Sequence, residues 1–153
     1  MSEDTKNWRL SASEKRVLAS VLDEIIPPRD DGELPGAGGL GVGDHIEAAL
    51  RHAPDLRSMI VQGLADLDQL ARGKKAPGFA ALSREDKLEL LNQQGFVFPL
   101  TLHTCAGYYQ NSRVVEALGL ESRPPHPQGY AMEPNDLSLL DPVRRRPSLY
   151  RRV

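Results

Sequence analysis

The sequence predicts an all-α fold, a small bundle of about five helices, and three observations carry that expectation. Apolar residues recur at three- and four-residue spacing in several windows. Helix-start residues stand in front of those windows. No stretch alternates with the period of two that a half-buried strand requires, and no internal repeat is visible. The bundle is assigned to residues 1–120, with a Gly-rich loop after the first helix. Residues 121–153 are assigned to an extended Pro/Arg-rich C-terminal strap.

The first helix opens on a capping box, Ser11 with Glu14, in which each side chain satisfies the other residue's orphan amide. Val17, Leu18, Val21, Leu22, Ile25 and Ile26 then form one apolar face, and Pro27 and Pro28 end the helix. Residues 27–43 hold six glycines and three prolines. Their GAGGLGVG run lacks the preceding strand and the following Lys-Ser/Thr of a phosphate cradle, so a mobile surface loop is expected. Asp44 is placed as the cap of a short helix, His45 to Ala53.

Pro54 and Asp55 suit the first turn of the next helix, which carries Leu56, Met59, Ile60, Leu64, Leu67 and Leu70 in phase. Gly73 is its expected stop, just beyond the C-cap. After a KKAPG linker, Ser83 with Asp86 opens a helix bearing Leu88, Leu90 and Leu91. Gly95 or Pro99 starts or kinks an apolar helix from Phe96 to about Gln110, and a short helix from Arg113 to Leu118 closes at Gly119.

The last 33 residues carry six of the 12 prolines, which interrupt helical register and remove strand donors. Isolated apolar residues sit between them, so the segment reads as a semi-stiff strap with pegs, lying on the chain's own body or on a second protein. Tyr130, Leu139, Leu140 and Tyr150 are the expected pegs, with Arg144, Arg145 and Arg146 meeting acids at the rim.

The bulk numbers exclude several classes. A formal charge of −2 gives no global attraction to nucleic acid or membrane, although residues 142–153 hold five arginines and no acid. One cysteine, Cys105, rules out an internal disulfide framework and a four-thiolate metal site. No apolar stretch is long enough to span a membrane. MSEDTKNWRL has neither an apolar signal core nor a twin-arginine pair, so a cytoplasmic address is expected, or a periplasmic one if the chain travels with an exported partner.

No constellation reads as an active site, and no catalytic, cofactor-binding or metal-ligating residue is assigned. His45 and His52 lie seven apart on one helix, about 10 Å along its axis, too far to share an ion comfortably. His103 and Cys105, two apart, point about 200° from one another on a helix, poor geometry for a nucleophile and its base. Asp23, Glu24, Asp30, Asp31, Asp66 and Asp68 read as solvated surface. The rival to a binding role is a free-standing small helical enzyme or metal-binding protein that uses His103 and Cys105, with Tyr108 or Tyr109 nearby.

In order and spacing, several segments resemble a known family: LSASEKRVLASVLDEIIPP, the Gly-rich loop running into GVGDHIEAAL, LRSMIVQGLADLD, FAALSREDKLELL and TLHTCAGYYQNSRVVEALG. The family is gluconate 2-dehydrogenase subunit 3, the small subunit of flavin-dependent membrane sugar dehydrogenases. The C-terminal strap looks like that of a divergent branch, without the family's common GGN and GWK-type pattern. The resemblance implies a non-catalytic accessory subunit that binds no cofactor itself. Its partner would be a large FAD-binding subunit of the glucose–methanol–choline (GMC) type, oxidising a sugar or polyol. Some such complexes pass electrons to a cytochrome c subunit. Many members carry a twin-arginine signal, which the N-terminal residues here lack.

Overall fold

The computed structural model describes residues 8–123 and 136–147, all helix, turn and loop without a strand among them. The chain divides into two compact units, Met1–Ser122 and Arg123–Val153. Among its described residues the first has six α-helices: α1 (Ala12–Ile25), α2 (Val42–Leu50), α3 (Pro54–Gly73), α4 (Arg84–Leu91), α5 (Val97–Tyr109) and α6 (Ser112–Ala117). A turn of 3-10 helix, Phe79–Ala81, lies between α3 and α4. These six correspond to the six helical segments named from the sequence, one more than the rounded figure of about five.

α1 is the hub, packing against α2, α3, α4, α5 and the 3-10 turn. Its capping box forms as predicted: the Glu14 amide donates to Ser11 Oγ at 3.3 Å, and the Ser11 amide donates to Glu14 Oε2 at 2.6 Å. Val17, Leu18, Val21 and Leu22 are buried in the common core with Ile46, Leu50, Ile60, Leu64, Leu67, Phe79 and Leu100. Truncating a fully enclosed residue such as Leu22 to Ala costs about 2–5 kcal/mol in lost transfer energy and cavity. Met59 and Leu70, in phase on α3, stay exposed, because the core accepts only the narrower face of Ile60, Gly63, Leu64, Leu67 and Ala71.

Two helix ends differ from expectation. α2 starts at Val42, not after Asp44, with Gly41 at the N-cap in the left-handed region (φ 75°). Beginning there lets Val42, Ile46 and Leu50 all reach the core at four-residue spacing, and Asp44 then lies in the first turn, favourable to the helix dipole. α3 keeps Gly73 inside its last turn; Lys75, two residues on, takes the left-handed conformation (φ 64°) that a glycine would adopt without strain.

The Gly-rich segment is a fastened structure, not the mobile surface loop expected. Leu34 and Ala37 are buried in the core. The Ala37 amide donates to the Ile26 carbonyl at 3.0 Å, and the Gly38 amide donates to Asp23 Oδ1 at 2.8 Å. Asp23 was read as solvated surface; it closes the loop onto α1. Asp68 does the same for the 3-10 turn, accepting the Phe79 amide at 3.1 Å. Glu24, also read as solvated, pairs with Lys87 Nζ at 3.3 Å and Arg84 Nε at 3.6 Å and so ties α1 to α4.

Of the second unit, Arg123 and residues 136–147 are described. An extended strap was expected, but Leu137–Leu140 form a 3-10 turn that runs into a short helix, α7 (Asp141–Arg144). Asp136 starts it by accepting the Ser138 amide at 3.0 Å. Pro142 sits in the first turn of α7. A proline breaks a helix interior, whereas in the first turn its missing N–H has no partner to lose and its fixed φ is already helical.

Candidate protein-interaction surface

Residues 90–112 contain no Asp, Glu, Lys or Arg. α5 lies within this span and is uncharged and mainly apolar around its circumference, Thr101, His103 and Thr104 excepted, a pattern suited to a helix enclosed on all sides. Only one side is enclosed. Leu100, Thr104, Gly107 and Tyr108 face the core, and Thr104 and Thr101 return their hydroxyl protons to the carbonyls four residues back at 2.7 and 2.8 Å. The other side carries Phe98 (73% exposed), Leu102 (59%) and Tyr109 (55%), with half-buried Cys105 between them. Spacings of four, three and four align these residues in one stripe about 16 Å long.

Close approaches at both ends hold the helix rigidly. At its start, the Phe96 ring lies against Gly63 of α3, where an added Cβ would stand 2.1 Å from the ring. At its end, Gly107 meets α2, and a Cβ there would come within 2.9 Å of both His45 and Val42. Gln110 Nε2 and His45 Nδ1 lie 2.8 Å apart across the same junction. Tyr108 turns inward to donate its hydroxyl proton to the Pro35 carbonyl at 3.3 Å, and burial raises its pKa. Tyr109 packs edge-on against Tyr108, ring centroids 5.3 Å apart, and presents its other side to solvent.

The strongest electrostatic feature lies elsewhere, at Glu47 on α2. Its side chain is 1% exposed, and it receives Arg9 at 2.9 Å, Lys15 at 3.0 Å, Arg51 at 3.2 Å and the Leu10 amide at 3.2 Å. Burial alone would raise its pKa; hydrogen bonds from Lys15, the Leu10 amide, Arg51 and Arg9 outweigh it and lower the value to about 2. Every neighbour comes from this chain, so the cluster is a clasp that fixes residues 9–10 to α1 and α2. Sequence reasoning missed it, since a glutamate on a short helix carries no local sign of burial.

An open cleft of about 960 Å³ near the end of α1 is lined by Asp23, Glu24, Arg29, Asp30, Asp31 and Arg84, among others. Most of these charges are matched internally: Arg29 with Asp31 and Glu33, Glu24 with Arg84 and Lys87, and Asp23 with the Gly38 amide. Among the described residues, no three His, Cys, Asp or Glu side chains gather at metal-binding distance. His103 and Cys105 are half-buried on different sides of α5, and the Tyr108 hydroxyl is engaged by the loop, so these three groups do not converge.

Of the expected partner-binding residues, Tyr130 and Tyr150 lie outside the described residues. Leu139 and Leu140 are exposed on the 3-10 turn of the second unit. Arg144 lies 3.6 Å from Asp141 on its own helix, and Arg145 and Arg146 are exposed beside it. The α5 stripe was not foreseen as a surface. Its signal was the run of residues 90–112 without charge, which marks an apolar helix but not the side of it that stays open.

The family model described as gluconate 2-dehydrogenase subunit 3 matches residues 12–95, just over half of the chain. The chain belongs to the gluconate 2-dehydrogenase subunit 3 family. The match spans α1 to α4 and stops before α5, so the exposed stripe lies beyond it. Among curated proteins and among solved structures, nothing matches the chain. Membership of this family makes the chain a subunit of a dehydrogenase complex. Among the described residues, no helix is long and apolar enough to cross a membrane.

Proposed function

We propose that this chain is the non-catalytic accessory subunit of a sugar or polyol dehydrogenase, binding and stabilising a large FAD-containing subunit of the GMC type. The observation that carries this reading is the α5 stripe, an ordered apolar surface on a helix clamped at both ends in a member of a dehydrogenase-subunit family. An exposed apolar stripe on a rigid support is the usual form of a docking face, with aromatic residues such as Phe98 and Tyr109 serving as anchors. Binding only the folded, flavin-loaded partner stabilises it by mass action, by about 2.7 kcal/mol at a free concentration 100 times Kd. FAD and the oxidation chemistry reside in the partner; electrons leave through it to an acceptor such as a cytochrome c subunit.

The test is co-purification of the tagged chain, followed by absorbance and intact-mass measurement of the eluate. A flavoprotein recovered in equal amount, with a flavin spectrum, is the expected result. Leu102→Asp places a charge in the middle of the stripe and should abolish recovery while leaving the melting temperature of the free chain unchanged. Recovery of the chain alone, or undiminished recovery by the Leu102→Asp variant, would overturn the reading.

A further inference from the structure

From the geometry of residues 136–147 we infer that this segment is a preformed helical peptide ligand, which inserts Leu137, Leu140 and Val143 into an apolar, acid-rimmed groove on the dehydrogenase partner. The inference rests on the accessory-subunit reading and adds the second contact and its chemistry. In a 3-10 helix, side chains three apart eclipse one another, so Leu137 and Leu140 stand in one line. The chain continues directly into α7, where Val143 falls three residues further on, extending the line into a ridge. All three side chains are exposed. Leu139, named as a peg from sequence, is displaced by about a third of a turn and points off the ridge.

The turn is encoded locally and therefore ordered before binding. Asp136 caps it through the Ser138 amide, and Pro142 starts α7. Preorganisation of this kind reduces the ordering cost that a flexible tail meets on docking. The arginines supply the chemistry of the groove. Arg144, Arg145 and Arg146 follow the ridge; among the described residues only Arg144 has an acidic neighbour, its own Asp141. Three consecutive exposed arginines at the end of an apolar ridge match carboxylates at the edge of an apolar groove, where arginine forms forked, partly desolvated pairs. An amphipathic helix laid into a groove is a recurring mode of peptide recognition.

The experiment titrates the purified full-length chain against the flavoprotein that co-purifies with it. The combined variant Leu137→Ala, Leu140→Ala, Val143→Ala should weaken Kd by about 10-fold or more, as expected for removal of buried anchors. Leu139→Ala should leave it within about 2-fold, the range of an energetically neutral contact. Arg144→Gln, Arg145→Gln, Arg146→Gln should slow association and weaken its dependence on salt. Circular dichroism should show each variant as helical as the parent.

An unchanged Kd in the triple-alanine variant, with the parent still binding, overturns the inference and leaves the accessory-subunit reading standing. So does equal weakening by Leu139→Ala. If flavoprotein affinity is unchanged but the triple variant loses retention on phosphatidylglycerol vesicles, the occupant is a lipid surface. If it instead loses self-association in sedimentation, the occupant is a second copy. A parent chain that captures no flavoprotein at all refutes the accessory-subunit reading itself.

Discussion

Glu47→Gln isolates one charge without changing the shape of the side chain. The parent carboxylate titrates at about 2 against an ordinary 4.5, because Lys15, the Leu10 amide, Arg51 and Arg9 together overcome its desolvation. A carboxyl group with a depressed folded-state pKa stabilises the fold fully above its unfolded pKa and loses that contribution as pH falls through its folded pKa. The shift corresponds to about 3 kcal/mol at pH 7, falling to about 1 kcal/mol at pH 3 and nearly nothing at pH 2. Urea unfolding followed by far-ultraviolet circular dichroism, run at pH 7, 4 and 3 on both proteins, reads this out directly. The parent should exceed the variant by about 3 kcal/mol at pH 7, with the difference shrinking as acid is added. A gap that stays constant from pH 7 to pH 3 would refute the reasoning, since a purely steric effect of the amide does not titrate.

Three further outcomes follow from geometry. Gly63→Ala should destabilise by about 1–3 kcal/mol, seen as a lowered midpoint of unfolding, because its Cβ would stand 2.1 Å from the enclosed Phe96 ring. Lys75→Gly should stabilise by about 0.5–1 kcal/mol, because Lys75 holds φ 64° at the end of α3. Asp23→Ala should cost about 1 kcal/mol by removing the carboxylate that receives the Gly38 amide, and hydrogen exchange of residues 36–39 should quicken while that of α3 does not.

Where a structural decision is made by neighbours in sequence, it could be read in advance. Ser11 with Glu14, Ser83 capping the Asp86 amide, Pro54 in the first turn of α3 and Gly119 with positive φ after α6 all occupy the roles their residue types suggest. Decisions made by residues far apart in sequence could not. Glu47 is buried because Arg9 arrives from 38 positions away, and Asp23 is spent on an amide 15 positions further on. The face of α5 that remains open was hidden for another reason. A helix uncharged and mainly apolar all round has no preferred side, so periodicity cannot tell which half the core will take. In residues 137–144 the difficulty lay in reading proline as a breaker when its position in the turn made it a starter.

The absence of charge from residues 90–112 has a consequence for the cell as well as for the complex. Solubility of a lone chain depends on charges scattered over every face, and here one whole helix contributes none. On the accessory-subunit reading, a chain made in excess of its partner would present Phe98, Leu102 and Tyr109 to chaperones and proteases that survey for bare apolar surface. On that reading, surplus copies would be cleared and covered copies would persist. Selective disposal of this kind would by itself bring the supply of the two chains into balance.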